Sequence, residues 1–100
     1  MSFLVSYTLK DPTDFDHQVA AMQALVDDLC AVGIDGLDYS CFSTDETTEF
    51  LGVLEFRDEE AKQGFLASDA FAAYKKKVGP TFANPPLTRN ISLIASTKGG

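Results

Sequence analysis

The chain has 100 residues, with fifteen acidic side chains against eight basic ones and a formal net charge of −7. This length suits one domain with a single core. Nucleic acids and anionic membranes attract basic proteins, so the charge argues against both as partners. No apolar run approaches the ~20 residues of a membrane span. We expect one domain over residues 1–96 and a flexible tail at 97–100.

A strand and a helix are predicted at the start of the chain. Apolar residues alternate with smaller or polar ones along residues 3–9, which is typical of a strand with one buried face. The helix that follows is expected to begin near Thr13 or Asp14, whose side chains can cap free N–H groups, and to end at Gly33. Its apolar residues recur at helical spacing, and we assign Gln18 to the opposite, polar face.

Two further strands are predicted to form a hairpin. The segments 36–42 and 49–57 each alternate between apolar and polar residues. A polar turn at 43–48 joins them, and this arrangement of strand, turn and strand is the usual sequence signal of a β-hairpin.

The second half of the chain is predicted to contain two short helices and a last strand. Asp58 is a natural cap for the first helix, and Ser68 interrupts the helical pattern and caps it again. We therefore expect helices at 59–67 and 69–78. The last strand is expected at 88–95.

The order β-α-β-β-α-β predicts a ferredoxin-like α+β fold. In this split β-α-β arrangement, right-handed crossovers place the helices on one face of a four-stranded antiparallel sheet. We assign Ile91 and Leu93 to the helix face. The bare face then keeps the apolar side chains of Leu4, Phe42, Leu51, Val53 and Ile94. Such a patch is unusual on a monomer, so we expect a homodimer formed through the sheet face.

Residue types that often carry catalysis or bind metals are scarce. Cys30 and Cys41 have no metal spacing and are expected to be buried free thiols, which fits a reducing cytoplasm. His17 is the only histidine, and we interpret it as a solvated helix residue rather than a catalytic base. With one histidine and no clustered carboxylates, we expect no metal site.

A space lined by aromatic rings is predicted between the sheet and the two short helices at 59–67 and 69–78. It is either a plain aromatic core or a pocket for a flat apolar ligand that phenol hydroxyls orient. Gly52 favours the pocket, because it leaves a gap in the strand face. The rings belong to Tyr7, Tyr39, Phe56, Phe65, Phe71 and Tyr74.

Residues 50–77 carry two short motifs that resemble a known family. At 56–61 (FRDEEA) an aromatic residue ends a strand before an acidic helix start, and 68–71 (SDAF) form a Ser-x-x-Phe break. These features resemble the antibiotic-biosynthesis-monooxygenase-like (ABM) family, whose length and element order match the whole chain. The resemblance implies a dimeric α+β barrel and a small-molecule monooxygenase activity.

Two branches of this family differ from the chain at comparable positions. The haem-degrading branch has Asn, Trp and His where this chain has Tyr7, Phe56 and Tyr74. The cofactor-free oxygenases have Asn and Trp where it has Gly52 and Phe56. We therefore expect no haem degradation and no bound cofactor.

We predict a homodimer that binds an aromatic or quinol-like small molecule, as a cofactor-independent monooxygenase. Its substrate must itself give up an electron, so the protein would supply desolvation and a proton acceptor. Tyr7 and Tyr74 are the catalytic candidates. The pocket candidates are Tyr39, Gly52, Phe56, Phe65 and Phe71. The alternative is a non-catalytic dimer with a regulatory, carrier or scaffold role, which a filled space would favour.

Overall fold

Residues 1–98 are described in a computed structural model, in which one antiparallel sheet packs against three helices. The strands are β1 (Ser2–Thr8), β2 (Leu37–Ser43), β3 (Glu49–Phe56) and β4 (Leu87–Ile91), and the helices are α1 (Phe15–Val32), α2 (Glu59–Leu66) and α3 (Asp69–Val78). The strand order β2-β3-β1-β4 confirms the predicted ferredoxin-like α+β fold. The tail predicted at 97–100 stays a prediction, since residues 99 and 100 lie outside the described residues.

Side-chain caps separate α2 from α3 at the predicted break. Asp58 Oδ1 accepts a hydrogen bond from the Ala61 N–H, with 2.9 Å between the heavy atoms. Ser68 Oγ accepts from the Phe71 N–H at 3.2 Å and so begins α3. Each cap satisfies a backbone donor that the first helical turn leaves free. The prediction of two short helices is confirmed.

Helix α1 begins in a different way from the prediction. A turn of 3-10 helix at Pro12–Asp14 precedes it, and the Asp11 carboxylate accepts from the Thr13 N–H at 2.9 Å. Neither Thr13 nor Asp14 caps the α-helix through its side chain. At the other end, Gly33 has φ of 72°, the left-handed conformation that glycine adopts readily.

One face of α1 is buried against the sheet. Gln18, Met22, Leu25 and Leu29 are all buried and lie at helical spacing on that face. Gln18 is 0 % exposed, so its assignment to the polar face is wrong.

The two cysteines are both free, but they are less buried than predicted. Cys30 is exposed, so the prediction of two buried thiols is wrong for that residue. Cys41 in β2 is partly buried, and this burial raises the pKa of its thiol. A raised pKa keeps the group as the less reactive thiol.

The register of β4 differs from the prediction. Ile91 pairs with Ser2, and Thr88 pairs with Val5, a buried residue of the helix face. Thr88 therefore lies on the helix face and Ile91 on the outer face, because neighbouring residues of a strand point to opposite sides. Leu93 lies beyond the end of the strand and is 77 % exposed. The assignment of Ile91 and Leu93 to the helix face is wrong. The strand ends at Ile91 rather than at residue 95, so Ile94 also lies beyond it and not on the bare face.

The outer face of the sheet consequently carries more apolar side chains than predicted. Leu87 is 60 % exposed and Phe42 is 49 % exposed at opposite ends of one row across the sheet. The apolar side chains of this outer face are Leu4, Phe42, Leu51, Val53, Leu87 and Ile91. In the single chain, this side of the sheet therefore presents an exposed apolar patch.

Gly52 in β3 lies beneath two tyrosine rings. A Cβ atom there would lie 3.1 Å from Cε1 of Tyr39 and 3.5 Å from Cε2 of Tyr7. The rings fill the space that the missing side chain leaves, so Gly52 is needed for close packing. The structure corrects its interpretation as an open gap for a ligand.

We predict that Gly52→Ala lowers the free energy of unfolding, because the methyl group forces the Tyr39 ring to shift. Overpacking of this kind costs about 1–3 kcal/mol. The matched control is Gly64→Ala in α2, where a Cβ atom meets only Ile34 Cγ2 at 3.9 Å. Alanine is the better helix former, so the control should gain about 0.5–1 kcal/mol. Urea unfolding measures both, and a Gly52→Ala variant as stable as the parent would contradict the packing argument.

Candidate functional site

A cavity of about 370 Å³ lies between the sheet and the helices α2 and α3. β1 and β3 form its floor, α2 and α3 its roof, and the segment from Gly79 to Thr88 contributes part of its edge. The volume falls within the range of small-molecule sites, about 300–1,000 Å³. Its rings come from Phe3, Tyr7, Phe56, Phe65, Phe71, Tyr74 and Phe82. The helix side of the sheet is therefore open here rather than filled.

The cavity brings together five of the seven predicted site residues. Tyr7, Phe56, Phe65, Phe71 and Tyr74 all line it. Tyr39 and Gly52 do not, because the Tyr39 ring lies over Gly52 and faces a groove beside α1.

Two rings of the lining, Phe3 and Phe82, were not predicted as site residues. Phe3 lies on the same face of β1 as Tyr7, which the alternation already indicated. Phe82 follows a turn after α3 and carries no periodic signal, so only the tertiary structure places it. Its ring lies 5.3 Å from that of Tyr7, measured between centroids.

The break between α2 and α3 positions the roof of the cavity. It turns the chain so that the Phe65 and Phe71 rings lie 4.5 Å apart, centroid to centroid. Phe65 also lies 5.8 Å from Phe56 at the end of β3. These rings pack on one another beside the cavity, so helix and sheet are joined by aromatic contacts at its edge.

Two buried tyrosines, Tyr7 and Tyr74, line the cavity. Tyr7 and Tyr74 are 5 % and 3 % exposed, and their rings meet edge to face at 6.4 Å between centroids. Gln18 Nε2 donates a hydrogen bond to Tyr74 Oη at 2.9 Å. This bond ties α1 to α3 and fixes the position of the Tyr74 hydroxyl.

Burial keeps these tyrosines neutral. It raises the pKa of Tyr74 well above its usual value, and the nearby Tyr7 raises it further. Burial also raises the pKa of Tyr7, although hydrogen bonding with Tyr39 opposes the increase. The pKa of Tyr39 is raised too, chiefly by burial. A neutral phenol can orient a ligand by donating or accepting a hydrogen bond, but it is not a tyrosinate base.

The buried Gln18 amide is only half satisfied. Its Oε1 atom has no hydrogen-bond partner within residues 1–98. A half-turn of the amide would present this oxygen to Tyr74, whose hydroxyl would then donate. The sequence did carry a signal for the burial of Gln18. This residue lies four positions before Met22, on the same face of the helix as Met22 and Leu25.

Residues outside the cavity add little chemistry. His17 is exposed on α1, and its Nε2 lies 3.0 Å from the Lys77 carbonyl oxygen. Because a carbonyl only accepts, Nε2 must be the donor. Within residues 1–98, no three His, Cys, Asp or Glu side chains are grouped so that they could hold a metal ion. No helix in this part of the chain is long and apolar enough to cross a membrane.

We predict that stability falls as the pH rises above about 10, because the tyrosines ionise in the unfolded chain and stay protonated in the folded one. The pKa values of these tyrosines in the folded protein lie above the ordinary 10.0. Below that pH they are protonated in both the folded and the unfolded state, so they do not change the free energy of unfolding. Above that pH, each tyrosine lowers the free energy of unfolding by up to about 1.4 kcal/mol per pH unit. Urea unfolding at a series of alkaline pH values measures the slope. Tyr39→Phe should reduce it, and an unchanged slope in that variant would contradict the assignment.

Comparison with solved structures supports the fold. A candidate antibiotic biosynthesis monooxygenase from Caulobacter crescentus superposes with a TM-score of 0.81 at 17 % identity, covering 94 % of this chain and 89 % of that one. Another, from Nitrosomonas europaea, has a TM-score of 0.81 at 12 % identity, with coverages of 93 % and 88 %.

A third structure has a described activity. SnoaB of Streptomyces nogalater, a cofactor-independent oxygenase solved as a mutant, has a TM-score of 0.67 at 13 % identity. The match covers 97 % of this chain and 95 % of that one. Neither a protein-family model nor a curated protein matches the chain. The resemblance predicted from the sequence is therefore confirmed for the fold: the chain has the ferredoxin-like α+β structure of the ABM-like proteins.

Proposed function

We propose that the protein is a homodimer that binds an aromatic or quinol-like small molecule and oxidises it as a monooxygenase without a cofactor. The observation that carries this proposal is the open, ring-lined cavity, whose lining includes the two tyrosines Tyr7 and Tyr74. Flat apolar molecules fit such a lining, and hydroxyl groups can fix their orientation. The fold shared with SnoaB, a cofactor-independent oxygenase, adds support. The cytoplasm is the proposed compartment, in keeping with two free thiols.

The proposed chemistry depends on an electron-rich substrate. A bound quinol loses a proton and passes an electron to O₂, and the two resulting radicals combine at a ring carbon that carries hydrogen. The released proton returns to the peroxide, and loss of water from this hydroperoxide leaves a new C=O group at that carbon, so the product is a hydroxyquinone. One oxygen atom of O₂ enters the product and the other leaves as water. An apolar cavity favours this route by excluding competing water, and the hydroxyls of Tyr7 and Tyr74 are the proposed partners of the substrate oxygen.

A second candidate function, a non-catalytic carrier, is favoured by one observation. Among residues 1–98, those that line the cavity include no carboxylate and no imidazole. The usual general bases are therefore missing, and the tyrosines are held neutral. A carrier needs only the binding part of the proposal, so oxygen consumption separates the two functions.

The outer face of the sheet supports the homodimer. Acidic residues, Asp38 and Glu55, lie at one side of this face, and a basic residue, Arg89, lies at the other. The apolar side chains lie on the same face. A two-fold axis along the strands places β4 of one copy opposite β2 of its partner. Arg89 then approaches the acidic side of the partner while the apolar side chains stack, so the face complements itself.

We predict that Tyr74→Phe weakens binding of a polycyclic phenol or quinol roughly three- to tenfold, the effect of one ordinary hydrogen bond. If the protein is an oxygenase, turnover should fall further, about 10²-fold, because the neutral Tyr74 hydroxyl would also donate a hydrogen bond to the deprotonated substrate oxygen. Tyr39→Phe is the comparison variant, because Tyr39 does not line the cavity and can act on the ligand only through its hydrogen bond with Tyr7. It should weaken binding less than Tyr74→Phe does. A thermal-shift screen with quinols, polycyclic phenols and haem selects the ligand. Titration measures affinity and an oxygen electrode measures turnover.

Three outcomes separate the candidates. Binding with oxygen consumption supports the oxygenase, and binding without it supports the carrier. Equal affinities of the Tyr74→Phe and Tyr39→Phe variants for the selected ligand would remove Tyr74 from the site.

We predict that light scattering shows about twice the 10.8 kDa chain mass. Phe42→Glu should convert the dimer to a monomer, because it places a charge in the apolar part of the outer face. Phe42 is half exposed in the single chain, so the variant should still fold. Val32→Glu is the control, since Val32 is exposed on α1, away from the sheet. A parent protein that is monomeric at micromolar concentration would refute the dimer.

A further inference from the structure

We propose that the ligand of the cavity is an aromatic acid, whose ring system enters the apolar space while its carboxylate meets Lys62 and Lys75. This inference rests on the proposed small-molecule site and adds the charge of the ligand. It does not depend on whether the protein is an enzyme.

The two lysines belong to the wall of the cavity. Lys62 comes from α2 and Lys75 from α3, on the two helices that form the roof. A lysine on an exposed helix face commonly extends its ammonium group into water. Here both residues line the apolar space, Lys62 partly buried and Lys75 exposed.

Aromatic faces hold both ammonium groups near the cavity. Lys62 Nζ lies 5.3 Å from the centroid of the Phe3 ring, and Lys75 Nζ lies 4.7 Å from that of Phe71. Both rings line the same cavity. Cation–π attraction of this kind is worth about 0.5–1 kcal/mol at an exposed site, enough to bias a flexible side chain toward the ring.

The ammonium groups are not strongly neutralised by neighbouring carboxylates. Lys62 Nζ lies 3.8 Å from Glu59 Oε2, a loose pair one helical turn away. Within residues 1–98, Lys75 has no carboxylate oxygen within 4.0 Å. Both groups can therefore accept an anion as a partner.

The charge at the cavity is opposite to that of the whole protein. The chain has fifteen acidic side chains against eight basic ones, yet the charged side chains that line the cavity are both lysines. In an acidic protein, a local pair of cations beside a low-dielectric space attracts anions to that position. A ligand with an apolar ring and one negative group matches both features.

The chemistry favours a carboxylate over a neutral polar group. An ammonium group forms shorter and stronger hydrogen bonds with a carboxylate than with a neutral amide. The partly apolar surroundings reduce screening by water, although the mouth of the cavity is open to salt. The preference for the acid should therefore be present at low salt and decrease as salt is added.

The test compares two ligands of the same shape, naphthalene carboxylate and naphthalene carboxamide, by calorimetric titration. The parent protein should bind the carboxylate about tenfold more tightly, the sum of two modest ion pairs. The preference should fall as NaCl is raised to about 0.5 M. The double variant Lys62→Gln/Lys75→Gln should lose the preference but keep its affinity for the amide, which also shows that it is folded.

A neighbouring lysine provides the control. Lys76 is exposed on α3 and does not line the cavity, so Lys76→Gln should keep the tenfold preference. Equal binding of acid and amide by the parent, or a preference that survives the double variant, would overturn the inference and leave the small-molecule site standing. No binding of either ligand, or of any molecule in the quinol and phenol screen, would overturn the site itself.

Discussion

The close packing of Tyr39 and Tyr7 over Gly52 is the constraint on which the interior depends. Without a side chain at Gly52, the two rings lie against β3 and bring their hydroxyls together. Tyr39 fills the side toward α1 and Tyr7 forms the wall of the open side. The rings over this single glycine thus separate the groove beside α1 from the cavity beneath α2 and α3.

The polar groups of the interior follow from this division. Tyr7 and Tyr74 meet between the groove and the cavity, and Gln18 reaches Tyr74 from α1. Burial makes their neutral forms the stable ones, so the site offers hydrogen bonds without buried charge. The formal charges, on Lys62 and Lys75, stand on the helices at the edge, where water can still reach them.

Local sequence signals predicted most of the fold. Strand alternation, the caps at Asp58 and Ser68 and the glycine at Gly33 act over a few residues, so they can be seen in the sequence. Five of the six cavity rings on regular elements, all but Phe3, were predicted for the same reason.

The features that sequence did not reveal depend on contacts between distant segments. The register of β4 is set by its pairing with β1, and a shift of one residue exchanges its two faces. The Tyr39 ring reaches over Gly52 from the neighbouring strand, so the space above this glycine, which was predicted to be empty, is occupied. Gln18 is the exception, because its helical position indicated burial and only its polarity argued against it.

The edge strand β4 joins the cavity to the outer face of the sheet. Thr88 points toward the cavity, while Leu87 on one side of it and Arg89 on the other point toward the proposed partner. A second copy that immobilises this strand would also immobilise part of the cavity wall. Association and ligand binding would then be thermodynamically linked: a ligand that prefers the ordered wall tightens the dimer, and ligand affinity rises with protein concentration.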